Sequence, residues 1–314
     1  MRSASAVSLW LTATFALLVA IPLNWVQHTL INVDGYTSMA RVAGHQSGVQ
    51  KATAALLTEQ VSAAARQNGF SGGDNAIQQA ATTYTASSVF PDNFADVNRI
   101  AHEWLFTNKA RQTDRGWEID LGPMLADTSF KTQLASQGVT LPPTVTVPVT
   151  GDTANKFAPG QLSTLATWGP WGAIGSALVV GVAAVLMLVV AKSRGIALAA
   201  LGVSALLAGG VGWVALSLGR GRVDSALSKT NGNVQTIANS LLVQAEDSLQ
   251  QWMTYALIAG GVLVVVGVLV AVLGKSMRRK SAPAYPAMQP QGYPPVQGYP
   301  PTRPPMEPTQ PPSV

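Results

Sequence analysis

Trp252–Leu273 reads WMTYALIAGGVLVVVGVLVAVL, and this run decides the fold. It contains no Asp, Glu, Lys, Arg or His. At 1.5 Å rise per residue, about 20 apolar residues cross the hydrocarbon core of a bilayer. Three further runs match it: Ala6–Trp25, Trp171–Ala191 and Ile196–Leu218. The expectation is a mainly α membrane protein with four transmembrane helices, at 6–25, 171–191, 196–218 and 252–273. Trp10, Trp25, Trp168, Trp171, Trp213 and Trp252 lie at or near the ends of these runs, where indole rings favour the headgroup level. The first run competes with a cleaved signal peptide. Leu18-Val19-Ala20 places a bulky residue where cleavage wants a small one, so an uncleaved anchor is expected.

Composition agrees. Hydrophobic residues make up 47% and charged residues 11%, against roughly 25% charged in soluble domains. Mean hydropathy is +0.24 despite a polar, proline-rich C-terminus. Cysteine is absent from the sequence, which excludes disulfides, thiolate metal sites and cysteine nucleophiles. With the N-terminus cytoplasmic, the inside segments 1–5, 192–195 and 274–314 carry net +7 and the outside segments carry net −2. Basic short flanks mark the cytoplasmic side. The basic pI is therefore mostly topology and points to no nucleic acid.

Residues 26–170 are long enough for an extracytoplasmic domain with its own core. Val49–Ala65 is rich in helix formers, with Val49, Ala52, Leu56, Ala63 and Ala64 on one side. Phe70–Asp74 reads as a loop. Pro91 suits the first turn of a helix whose stripe, Phe90, Phe94, Val97, Ala101 and Trp104, must be buried. Trp117–Leu121 alternates like a strand, Gly122-Pro123 opens a helix closing at Gly138, and Val145, Val147 and Val149 form an edge strand beside Pro148. That order predicts a parallel βαβ unit and a helix-rich α+β domain. Residues 219–251 form an outside helical loop, with Val234, Ile237, Leu241, Leu242, Ala245 and Leu249 at helical spacing. The two long helices should extend past the membrane and pack on the domain.

Residues 281–314 hold twelve of the twenty prolines, and QGYPP recurs at 291–295 and 297–301. This is a disordered tail with polyproline II bias, reaching roughly 105 Å if fully extended.

Chemistry is sparse. His28, His45 and His102 are the histidines. His102-Glu103 starts like a zinc-protease motif, but Phe106 stands where the second histidine belongs. The reading is an interfacial polar face with an Arg99–Glu103 pair, and His102→Ala should cost little stability. Asp114, Glu118, Asp120 and Asp127 read as a solvated acidic face rather than a cation site. No catalytic, cofactor-binding or metal-ligating residue is assigned, and no enzyme activity or cofactor is expected. The spans lack the intramembrane charges that ion and proton pathways need. They carry small residues in register instead, Ser204, Ala208 and Gly212 in the third and Gly260, Gly267 and Gly274 in the fourth, which suits helix packing.

Asn32-Val33-Asp34-Gly35-Tyr36, Val97–His102 and Ile119–Pro123 together resemble the four-pass integral membrane proteins of actinobacteria, a family of uncharacterised function. The resemblance spans roughly residues 5–275. It implies a helix-rich external domain and a mycobacterial-type plasma membrane, and it brings no functional residues with it. The functional expectation is a non-enzymatic envelope scaffold. Its partners are the lipid bilayer, envelope proteins through 26–170 and cytoplasmic proteins through 281–314. An accessory or sensor subunit is the alternative, and an envelope enzyme using His102 ranks last.

Overall fold

The computed structural model describes residues 2–67, 69, 73–107, 118–136, 138–139, 146–148, 159–191, 193–227 and 232–280. Four of its helices are long and apolar enough to cross a membrane: Val7–Ile31, Ser163–Val190, Arg194–Leu216 and Gly232–Lys275. The chain is a multi-pass membrane protein. The first apolar run is α1 (Arg2–Trp25), continued by a π-helical turn, Val26–Ile31. The others lie in α8 (Ser163–Val190), α9 (Arg194–Leu227) and α10 (Gly232–Lys280), the last two far longer than a span requires.

Between α1 and α8 the chain builds a helical domain. Its elements are α2 (Val33–Gly44), α3 (Ser47–Gln67), α4 (Asp74–Thr85) and α5 (Phe90–Phe106), then the short α6 (Gly122–Leu125) and α7 (Thr128–Ser136). One contiguous core joins them: Leu57 and Val61 from α3, Ile77 and Tyr84 from α4, Phe90 and Phe94 from α5, Met124 from α6 and Phe130 from α7 are all buried. The expected face of α3 holds for Val49, Ala52 and Leu56, whereas Ala63 and Ala64 are half-buried. Helix α4 begins at Asp74, the residue read as the end of a loop; Phe70–Gly72 lie outside the described residues.

The stripe of α5 is buried only in its first half. Phe90, Phe94 and Val97 are in the core, while Ala101 and Trp104 are half-buried. The last turn of α5 meets the chain entering α8 instead: the Gly160 N–H donates to Trp104 O and the Leu162 N–H to Leu105 O.

The β component is smaller than the α+β expectation, and the parallel βαβ unit is corrected. Strands β1 (Glu118–Asp120) and β2 (Thr146–Pro148) pair antiparallel, Ile119 opposite Val147. The connecting helix is broken in two at Asp127. Its carboxylate accepts from the Ser129 and Phe130 N–H groups, capping α7 and ending α6. A parallel pair needs a crossover that brings the chain back to run in the same direction, whereas these two strands run in opposite directions. The domain is mainly α. Gly138, at φ +76°, follows the end of α7. The acidic residue Asp114 and the tail 281–314 lie outside the described residues.

The small residues expected to serve helix packing divide between faces. Gly202 and Gly260 face each other: a Cβ on Gly202 would sit 2.6 Å from Gly260 O, and one on Gly267 would sit 2.6 Å from Gly195 O. So α9 meets α10 through Gly195 and Gly202, backbone against backbone, as bilayer helices associate. Ser204 belongs to another face, where its Oγ lies 2.7 Å from Thr14 Oγ1 on α1. Gly274 meets nothing within 4 Å. The tryptophans divide likewise. Trp168 and Trp171 expose their rings, but Trp10 Nε1 donates to Ala200 O and Trp25 Nε1 to Ser248 Oγ.

Candidate functional site

The polar chemistry of the chain gathers where α1 hands over to the helical domain. The π turn places the Asn32 N–H 2.9 Å from Gln27 O, and Asn32 then turns the chain through an extended conformation. Its side chain accepts from the Asp34 and Gly35 N–H groups, capping α2. Those are the donors that would otherwise continue the helical ladder to the Leu30 and Ile31 carbonyls. The Leu30 carbonyl is thereby released, and His102 Nε2–H donates to it at 2.9 Å. Gly35 is required by this handover, since a Cβ there would collide with His28 O.

His102 is buried in the interface between α5, α2 and the end of the first span. Its ring stacks on Phe106 at 4.2 Å and tilts against Tyr36 at 4.8 Å. With Nε2–H committed to a carbonyl, the neutral ring leaves Nδ1 bare, and Nδ1 is buried with no hydrogen-bond partner among the described residues. Burial pushes the imidazole pKa below its ordinary value; the Leu30 carbonyl and Glu103 pull the other way and offset only part of it. Tyr36 OH donates to Asn98 Oδ1 at 3.4 Å, and burial pushes its pKa up to about 12. The expected Arg99–Glu103 pair is present at 3.1 Å on the exposed side of α5. Two of the three motifs behind the family resemblance therefore meet face to face, Tyr36 against Asn98 and His102.

This cluster does not resemble a catalytic centre. Both faces of the imidazole are covered, and one nitrogen is engaged with the backbone. Among the described residues no three His, Asp or Glu side chains come together. Asp127, part of the acidic neighbourhood, serves as a helix cap.

Beside the cluster lies a cavity of about 820 Å³ that sequence reasoning missed. Its walls come from the end of α1 (Leu18, Pro22, Trp25), the start of α2 (Tyr36, Met39), α9 (Ala208, Val211, Ala215) and α10 (Leu241, Leu249, Met253). The lining is almost entirely apolar, with Glu246 its one carboxylate. The apolar spacing of Ile237 to Leu249 was legible, and Ile237 and Leu241 do pack on the domain core. A space between helices leaves no mark in the spacing of any one of them. No protein-family model, no curated protein and no solved structure matches this chain.

Proposed function

We propose that this chain is a non-enzymatic plasma-membrane scaffold of the actinobacterial envelope type. It presents residues 26–170 outside the cell and a proline-rich arm, residues 281–314, to cytoplasmic proteins. The observation that carries this reading is the continuity between bundle and domain. Helix α10 runs unbroken from Gly232 to Lys280, with Ile237 and Leu241 against the domain core, and His102 ties α5 to the end of the first span. A domain held this firmly is a presented surface, and the covered imidazole offers no substrate access. The packing of α1 against α8 and α9, through Asn24–Ser176 and Thr14–Ser204 bonds, supports its retention as an anchor. The net +7 of the segments assigned inside supports the orientation.

In-cell crosslinking with mass spectrometry, with and without residues 281–314, tests the reading. Deletion should leave folding and insertion intact while removing a specific set of cytoplasmic crosslinks. An unchanged profile would reduce the arm to a spacer. The same continuity of α10 favours a second reading, a sensor or accessory subunit. That reading requires ligand-dependent hydrogen-exchange protection within 232–251.

A further inference from the structure

The cavity beside Tyr36 does not stop at the membrane boundary. Exposed rings of Trp171 on α8 and Trp213 on α9 mark a headgroup level. Trp252 on α10 stacks on His28 at 6.2 Å at the same end of the bundle. Leu18 and Val211 line the cavity from within the apolar runs, whereas Tyr36 lines it from the domain and Leu241 from the part of α10 packed on the domain core. Along α10 the lining runs from Ala238 to Met253, about 22 Å at 1.5 Å per residue. One leaflet of hydrocarbon is ~15 Å deep. The groove thus begins among acyl chains and continues beyond the tryptophan level, beside the domain.

We propose that this groove holds an acyl chain of a bilayer phospholipid, drawn partly out of its leaflet against the domain. The occupant must be apolar to match the walls, elongated to follow α10, and able to enter from hydrocarbon without crossing water. A phospholipid chain meets all three conditions. The cavity of about 820 Å³ lies within the ~300–1,000 Å³ of small-molecule sites.

The full chain, reconstituted in phosphatidylcholine vesicles containing a phosphatidylcholine with a diazirine near the end of one acyl chain, is irradiated and mapped by mass spectrometry. Adducts are expected within 238–249, on the domain side of Trp252, where lipids surrounding the bundle do not reach. Ala215→Phe and Ala238→Phe, which fill the groove from partly exposed wall positions, should remove those adducts. Val189→Phe on the exposed face of α8 should retain them. Native mass spectrometry of the unmodified chain should retain one phospholipid mass through detergent exchange, which decides the matter should a groove variant fail to fold. Adducts confined to the spans, adducts persisting in both folded groove variants, or a retained fatty-acid or acyl-peptide mass would overturn the proposal.

Discussion

The imidazole Nε2 of His102 lies 2.9 Å from the carbonyl oxygen of Leu30, joining the middle of the helical domain to the last turn of the first span. His102→Ala should therefore destabilise the protein. Orphaning a buried carbonyl costs about 1–3 kcal/mol, before counting the space left between Tyr36 and Phe106. His102→Gln keeps a donor and should lose less. Thermal unfolding followed by tryptophan fluorescence reads both, and an unchanged midpoint for His102→Ala would show that the bond holds nothing together.

The same residue gives stability a pH dependence of defined sign. Burial holds its folded pKa below the ~6.5 of an unfolded histidine. Its contribution is thus complete above about pH 6.5 and shrinks as pH falls from there through the folded pKa. Tyr36 and Glu103 are its titratable neighbours, and Glu103 only softens the shift. Between about pH 7.5 and pH 5.5 the unfolding midpoint should fall in the wild type and fall less in His102→Gln.

Phe94 and Trp104 separate the two halves of α5. Phe94, buried in the core, should cost about 3–5 kcal/mol on truncation to Ala. Trp104 is half-buried, so Trp104→Ala should cost less. Chemical unfolding of the two variants side by side checks the order, and the reverse order would refute it.

Gly202 and Gly260 set the approach of α9 to α10. Gly202→Leu drives a side chain into the Gly260 backbone, and overpacking of this kind costs about 1–3 kcal/mol. Gly261→Leu, with nothing within 4 Å of its Cβ, should be tolerated. Unfolding midpoints in detergent compare the pair. Equal effects would mean the glycines do not carry the contact.

Orientation is read by reporter fusions. Alkaline phosphatase should be active after Gly122 and inactive after Lys280. Activity at Lys280 would invert the topology.

The four apolar runs were legible because lipid makes the problem local. Without water, each backbone group must be satisfied within its own segment, so an uncharged run of this length becomes a helix whatever surrounds it. The stripe Phe90–Phe94–Val97 was legible for a similar reason, since helical spacing alone brings those side chains to one face. What tertiary structure decided concerns pairs of segments. The same periodicity that placed Phe94 inside could not say that Trp104 sits where α8 returns, or that His102 turns toward a carbonyl freed by Asn32. Seven-residue glycine spacing was seen on α10 as Gly260, Gly267 and Gly274, yet its partners on α9, Gly195 and Gly202, emerged only once the two helices were set side by side. Strand direction depended on how β1 and β2 meet, and the groove on the distance between α1, α9 and α10. Periodicity fixes which face of an element is buried; only the relative placement of elements fixes what it is buried against.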